Sequence, residues 1–411
     1  MREQTKFPAT ILNVSHHNFV VGGSDQVFLD LGELLADKGH QVIPFCSQNP
    51  RNQHSDYNQY FPTAVDPEHP SLQGVASFIY SKEARRQIDR LLQNERVELA
   101  HLHIYYGKLT ASILSPLRER SIPIVQTLHD YKLVCPVYTS MINNKPCEAC
   151  QHGDFWHALP RRCNRNSIAR TAVSVVESYV SRWAGAIDAV DHFVGISDFV
   201  TRRMIAAGIP AERITTVHNF IDASRYTPSY KAGGYAFYFG RLEEVKGVHT
   251  LIECARLNPD INFRIAGTGQ EADRLAATVA ELKLKNVELL GFVAGRELHK
   301  LIANADCAVI PSEWDEPFGL TVVESLALGT PVVASRVGGI PELVTEGEDG
   351  LLVAPGDPQQ LGSAIRKLTE SSRTSSEMGR NGRLKVERDF DKDSHYRKLL
   401  AVYEHARRRT A

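Results

Sequence analysis

The sequence predicts an α/β protein built from two doubly wound parallel-sheet domains facing each other across a cleft. Three observations carry this. Short apolar runs alternate with longer stretches of helical periodicity, the pattern of parallel strands covered by helices on both faces. The alternation occurs as two series, one from residue 9 to 196 and one from 235 to 334. Between them, residues 222–234 hold Pro228, Gly233, Gly234 and several polar side chains, the composition of an interdomain linker. A chain of 411 residues suits about two to three domains at ~100–200 residues each.

In the first series, residues 9–14 read as a strand. It meets a loop ending in Gly22 and Gly23, and a helix then starts near the capping pair Ser24 and Asp25 and closes at Gly39. Residues 42–46, 99–103, 123–128 and 192–196 read as further buried strands, each followed by a turn and a helix. The second series has strands at 235–239, 262–266, 287–290, 307–310 and 331–334. The expected division is an N-terminal domain over 1–229, with a Cys-rich insertion at about 132–165, and a C-terminal domain over 230–390. Residues 391–411 form an amphipathic helix, with Leu399, Leu400, Val402 and Tyr403 in a charged background, that packs back on the N-terminal domain.

Composition excludes several classes. Forty-seven basic against 48 acidic residues give a net charge of −1, so nothing marks a nucleic-acid-binding polyelectrolyte. With 43% hydrophobic residues the chain has ample apolar mass for cores, and no stretch reaches the ~18 consecutive apolar residues of a membrane span. The first ten residues lack an apolar signal region, and an odd count of seven cysteines suits reduced thiols or metal ligands in the cytoplasm.

In open parallel sheets, ligands gather at the carboxyl ends of strands, and the informative motifs sit there. Glu316-Pro-Phe-Gly-Leu-Thr-Val-Val-Glu324 follows the strand 307–310. Gly319 opens a helix whose unsatisfied N–H groups, from Gly319 and Leu320, suit a phosphate, while Glu316 and Glu324 face different parts of one ligand. The bland reading is a capped helix with a solvated Glu324. Tyr238-Phe-Gly-Arg241-Leu-Glu-Glu-Val-Lys246-Gly places a planar and a mobile cation after a strand, matched to a diphosphate; the bland reading pairs them with Glu243 and Glu244. Ala266-Gly-Thr-Gly269 is short enough to be only a tight turn. Val21-Gly22-Gly23-Ser24 lets backbone approach an anion but lacks the six-position dinucleotide fingerprint, and no acidic residue ends the second strand, which argues against a nicotinamide dehydrogenase. His129-Asp130 ends a strand at the cleft edge, a place for a catalytic histidine. His101 and His103 read as partly buried structural residues, and His16 and His17 as candidates to touch acceptor or phosphate.

Together these residues resemble the retaining glycosyltransferases of family 4, which have the two-Rossmann GT-B fold. The resemblance runs through Gly22-Gly23, His129-Asp130, Gly195-Ile-Ser-Asp198, His218-Asn219-Phe-Ile-Asp222, Gly240-Arg241 to Lys246, Gly267-Thr-Gly269, Gly291-Phe-Val293, the Glu316–Glu324 element and Val337-Gly-Gly-Ile-Pro-Glu342. It departs at Phe220, where the family commonly has glycine. The resemblance implies a sugar nucleotide, a UDP-sugar or GDP-mannose, lying mainly on the C-terminal domain. Arg241 and Lys246 would neutralise its diphosphate, Glu324 would bind ribose, and the Phe318-Gly319-Leu320 backbone would contact sugar and phosphate. Glu316 would hold a donor-sugar hydroxyl, His129 would contact the reacting end, and Gly23 would close the phosphate site. It further implies transfer, with retention, to a glycan or lipid-linked oligosaccharide in polysaccharide or glycoconjugate synthesis. No cofactor is needed for the chemistry, because fixed cations and a helix N-terminus stabilise the departing diphosphate. An epimerase or phosphorylase of the same fold, and a non-catalytic sugar-nucleotide binder, are the competing readings.

Two features stand outside this scheme. Four of the seven cysteines, Cys135, Cys147, Cys150 and Cys163, are spaced C-x11-C-x2-C-x12-C, and the central pair can bring two thiolates to one ion after a turn at Asn143, Asn144, Lys145 and Pro146. Structural zinc, free thiols, a disulfide and an iron–sulfur cluster are all compatible with the spacing, and His152 or His157 could replace a ligand. Then Arg161, Arg162, Arg165, Arg170 and Arg182 interleave with Ile168, Val173, Val175, Val176 and Val180. Such a basic amphipathic stretch either rests peripherally on an anionic membrane surface, where lipid-linked acceptors lie, or packs on its own sheet with a solvated basic face.

Overall fold

The computed structural model describes residues 10–63, 71–142, 145–231 and 233–410. Ala9, the other residues of the N-terminus, and Asn143 and Asn144 of the predicted turn lie outside the described residues, while Lys145 and Pro146 of that turn form a short strand. Two compact units emerge. One is built on the residues up to Ile142, on Pro146–His218 and on the chain from His395 onward; the other is built on Asn219–Ser394.

The strands of the first unit are β1 (Thr10–Val14), β2 (Gln41–Phe45), β3 (Leu99–Leu102), β4 (Ile124–Leu128), two short strands β5 (Met141–Ile142) and β6 (Lys145–Pro146), then β7 (His192–Gly195) and β8 (Ile214–Thr216). The second contains β9 (Ala236–Phe239), β10 (Phe263–Ala266), β11 (Val287–Gly291), β12 (Cys307–Ile310), β13 (Val332–Ser335) and β14 (Gly350–Val353). The helices are α1 (Gly23–Asp37), α2 (Leu72–Ile79), α3 (Lys82–Asn94), α4 (Leu114–Glu119), α5 (Ile168–Trp183), α6 (Asp198–Ala206), α7 (Val248–Leu257), α8 (Ala272–Glu281), α9 (Gly295–Ala303), α10 (Leu320–Ala327), α11 (Ile340–Leu343), α12 (Pro358–Thr369), α13 (Ser372–Asp389) and α14 (Lys392–Thr410).

Each unit carries a six-stranded sheet, in the orders β2-β1-β3-β4-β7-β8 and β11-β10-β9-β12-β13-β14. All the strand pairs in both are parallel. In β3, β4, β7, β9, β12 and β13 every residue is buried, as expected of strands covered on both faces. The edge strands β8 and β14 are additions to the sequence reading. Ile-Thr-Thr in β8 has one buried residue in three, so it carries no apolar run to recognise.

The order of the strands decides where function can sit. In the second sheet β9 is followed in sequence by β10 on one side but lies beside β12 on the other; in the first, β1 lies between β2 and β3. Chain direction over the sheet reverses at these points, leaving a crevice beyond the strands' carboxyl ends. The loops after β9 and β12, and those after β1, β3 and β4, are thereby neighbours within their own units.

Three local expectations change. The first helix is capped by Gly22, and Asp25 sits one turn inside, where its carboxylate accepts from the N–H groups of Val21 and Gly22 at 3.2 and 3.0 Å. Ser24 and Asp25 are therefore helical residues, and the acid reaches back to the loop instead of beginning the helix. His101 and His103, expected to be partly buried, are each only 1% exposed. The units divide between His218 and Asn219, whereas the composition places a linker near residue 230. The residues between belong to the second unit, where the Ile221 N–H donates to the Phe390 carbonyl and that of Ser229 to Leu328. Leu399, Val402, Tyr403 and Ala406 of α14 share one apolar cluster with Ile11, Leu99 and Val125 of the first sheet.

Candidate functional site

In the second unit, the loop after β9 carries Arg241 and Lys246, and that after the adjacent β12 carries Ser312, Trp314 and Glu316. Their backbones are interlocked. The Glu313 N–H donates to the Val245 carbonyl at 2.9 Å, and Gly247 takes φ +68° where a Cβ would come within 1.8 Å of the Pro311 oxygen. Lys246 Nζ then lies 2.6 Å from Glu316 Oε1, and the same oxygen accepts from Ser312 Oγ at 2.6 Å. The ammonium also stands 5.1 Å from the centre of the Trp314 ring. Burial of Glu316 opposes its charge, but the Lys246 cation and the hydrogen bonds from Lys246 and Ser312 outweigh it and hold the carboxyl below its ordinary value. The site thus presents a fixed carboxylate and a fixed, 19% exposed cation side by side.

Phe318 is 3% exposed, its ring edge-on to Phe390 with centroids 6.1 Å apart, so its backbone is the part left to face a ligand. Gly319, at φ +113°, is the N-cap of α10, and Leu320 is the first helical residue. The N–H groups at that helix start therefore lie three residues beyond Glu316 along the chain. Glu324 is half-buried on the second turn of α10. Arg241 is the least anchored of the predicted donor residues: it is 52% exposed and paired with Glu243 at 2.7 Å. The Ala266-Gly-Thr-Gly269 turn proves structural, since a Cβ on Gly267 or Gly269 would meet the carbonyl oxygens of Gly240 or Leu242 at 1.9 and 2.2 Å. Those glycines let the Arg241 loop settle onto the neighbouring turn.

Three participants in this site were not singled out from the sequence. Ser312 and Trp314 lie between the strand end and Glu316 and have no motif of their own. Gly338, inside the Val337–Glu342 element, is decided by close approach: its φ is +55°, and an added Cβ would lie 2.2 Å from the Glu316 oxygen.

In the first unit, His103 follows β3 and His129 follows the adjacent β4. The His103 and His129 rings stack with centroids 5.1 Å apart, and His103 Nδ1 and His129 Nε2 share a hydrogen bond of 2.8 Å. His101 continues the stack at 4.7 Å and is tied by its two ring nitrogens to Tyr403 of α14 and Thr127. Burial, above all, pushes the basicity of all three down, to about 3 for His101 and about 4 for His129, while Asp25 works in the opposite direction on His129. They are neutral imidazoles near pH 7, and His129 uses Nε2 inside the stack, so another partner would meet Nδ1. Asp130 is pushed up to about 6 by burial, even though the Lys132 N–H and charge favour its ionised form.

Beside this stack, the Gly22-Gly23 loop is braced by Asp25, whose Oδ1 lies 3.3 Å from His17 Nδ1; His17 Nε2 in turn meets Lys108 Nζ at 2.6 Å. His16 bonds through Nε2 to the Tyr106 carbonyl. Both histidines therefore have internal partners, and Lys108, next to Gly107 in the loop after β3, is a cation that the sequence reading missed.

The sequence family described as "Glycosyltransferase Family 4" matches residues 21–225, and that described as "Glycosyl transferases group 1" matches 223–385. The chain belongs to the family 4 glycosyltransferases. It is 31% identical over 245 residues to a glycogen synthase of Mycobacterium tuberculosis, which covers 57% of this chain and 58% of that relative. An amylovoran biosynthesis glycosyltransferase of Erwinia amylovora is 28% identical over 223 residues, 51% of this chain and 55% of its own length. The chain thus spans somewhat more than half the length of these relatives. Among solved structures, Anabaena HepE in complex with UDP-glucose superposes with a TM-score of 0.68 at 20% identity, over 96% of this chain and 99% of HepE. The two-sheet GT-B architecture of this glycosyltransferase is shared with that structure.

Proposed function

We propose that this glycosyltransferase moves a sugar, with retention at the anomeric carbon, from a nucleotide-sugar donor to a hydroxyl of a glycan or lipid-linked oligosaccharide in polysaccharide synthesis. The observation carrying the reading is the contact of Lys246 with Glu316 at the switch point of the second sheet, three residues before the Gly319 N-cap. As the sugar–phosphate bond breaks, negative charge grows on the β-phosphate and the sugar takes on oxocarbenium character. Lys246 and the start of α10 provide a positive field for the first that is already oriented before the reaction, and the exposed Arg241 adds its charge. Glu316, held by Ser312, accepts from a sugar hydroxyl, and Glu324 from the ribose. Within the first unit, His129 is neutral and the Gly22-Gly23 loop is braced by Asp25.

The UDP-glucose of HepE makes UDP-sugars the first donors to test, with GDP-mannose beside them. One nucleotide-sugar series is expected to raise Tm by several degrees, since a ligand at 100 times its Kd stabilises by about 2.7 kcal/mol. Release of the nucleotide should then depend on an added glycan acceptor, which separates transfer from epimerisation. Absence of a shift with every UDP and GDP sugar would overturn the donor assignment.

The first unit also supports a peripheral lipid contact. Helix α5 buries Thr171, Ser174, Val175, Glu177, Ser178 and Ser181, with Glu177 paired to Lys132 at 2.5 Å, and leaves Ile168, Val176 and Trp183 46–80% exposed beside the exposed arginines 161, 162, 165 and 170. An apolar stripe flanked by cations fits an anionic bilayer surface. The chain should co-sediment with phosphatidylglycerol vesicles but not phosphatidylcholine vesicles, and W183S should lower the bound fraction severalfold. Equal recovery in the supernatant with both lipids would remove membrane contact from the reading.

A further inference from the structure

The segment between β4 and α5 is held by little regular structure: two short strands and one turn of 3-10 helix at Phe155–Ala158. It nevertheless brings Cys135, Cys147, Cys150 and Cys163 to the wall of one cavity of about 20 Å³, with His157 and Arg161 completing the polar lining. Cys135 and Cys163 are 28 positions apart, so their meeting is a product of the fold and not of local spacing. The Cys147 N–H donates to the Ser140 carbonyl at 2.7 Å, and the turn from Cys147 through Cys150 closes with Gly153 at φ +94°, whose N–H donates to the Cys150 carbonyl. Below the cavity, Cys150 joins Phe155, Ala158 and Val175 in an apolar cluster, with Cys163 and Tyr179 packed against it.

A second observation is independent of the thiols. Of the eight non-glycine residues with positive φ among the described residues, five, Tyr138, Ser140, Arg162, Arg165 and Asn166, lie on the stretches that carry Cys135, Cys147 and Cys163. Each such conformation costs about 1–3 kcal/mol and persists only where the surroundings over-determine it. A segment with so few ladder hydrogen bonds needs another constraint to hold five of them.

We propose that Cys135, Cys147, Cys150 and Cys163 form a tetrahedral site for one zinc-class divalent cation that fixes this segment. Four thiolates select a soft, tetrahedral metal. The cavity has room for about one water-sized sphere, which suits a single ion. Four thiolates on a divalent ion leave two excess negative charges, and Arg161 on the cavity wall offsets part of them. All four cysteines stand as free thiols, and among the described residues no three Cys, His, Asp or Glu side chains are already arranged as metal ligands. On loading, each thiol loses its proton and turns inward to a metal–sulfur distance of ~2.3 Å.

The test is metal analysis of the full chain, purified under reducing conditions with zinc present and then freed of excess metal. About one zinc per chain is expected, with the four clustered thiols protected from a thiol reagent until a strong chelator is added. The paired variant C147S/C150S should retain less than a tenth of that metal. Should this variant fail to fold, cobalt titration of the chelator-treated wild-type chain supplies the answer through thiolate-to-cobalt charge-transfer absorption at one equivalent. Less than a tenth of an equivalent of zinc and no such absorption, or a disulfide within the cluster after reducing purification, would overturn the proposal.

Discussion

Replacing Lys246 by alanine is expected to lower kcat/KM by about ten- to two-hundredfold, the loss of one charge-assisted contact worth about 1.5–3 kcal/mol to the departing diphosphate. The same substitution strips Glu316 of its cation. Glu316 is 7% exposed, and breaking a buried pair by removing one partner typically costs about 3–5 kcal/mol, so a fall in Tm should accompany the fall in rate. The two effects separate in the double variant K246A/E316Q. A neutral amide needs no counter-charge, so most of the stability should return, while the rate should stay low because the phosphate still lacks its cation. A Lys246→Ala enzyme with an unchanged rate on its true donor would sink the diphosphate assignment, whatever its Tm.

Gly338→Ala is expected to be nearly as damaging without touching a charged group. At φ +55° an L-residue is strained by about 1–2 kcal/mol. The larger cost comes from the Cβ, which would sit 2.2 Å from the Glu316 oxygen and 2.4 Å from its nitrogen, both backbone atoms with no rotamer to relieve them. The Glu316 loop must move, and the hydrogen bond from the Gly339 N–H to the Glu316 carbonyl, 2.8 Å long, moves with it. A displacement near 1 Å at such a residue costs on the order of a hundredfold in rate. Total destabilisation should exceed about 3 kcal/mol, in the range reserved for strain and core disruption. Gly347→Ala is the control: its φ is +80° but a Cβ there meets nothing within 4 Å, so it should lose about 1–2 kcal/mol through backbone strain and leave kcat unchanged. Equal rates for the two variants would show that Gly338 does not hold Glu316 in place.

Legibility from sequence followed the range of the physics involved. The buried strands β3, β4, β7, β9 and β12 were readable because a parallel strand covered on both faces must be a run of apolar residues. The edge strand β8 was not, because one buried residue in three leaves no such run. Glu316, Gly319 and Glu324 could be placed because helix start, glycine and carboxylates lie within one short motif. Ser312, Trp314, Gly338 and Lys108 could not, since each acts through a neighbour brought by another strand or loop. The same limit applied to His103, whose bond to His129 spans 26 residues.

By itself, then, the sequence determined that this chain forms two parallel α/β sheets, that its candidate site residues follow the ends of strands, and that four cysteines share one insertion. Those features are set by local periodicity, by turn chemistry and by spacing, which need no knowledge of distant parts. Tertiary structure alone decided that Lys246 faces Glu316, that His103 and His101 stack behind His129 with Tyr403 of the last helix closing the row, and that the four thiols line one cavity. Strand order made those choices, because β9 lies beside β12 and β3 beside β4 for reasons of sheet packing that no short window of residues contains.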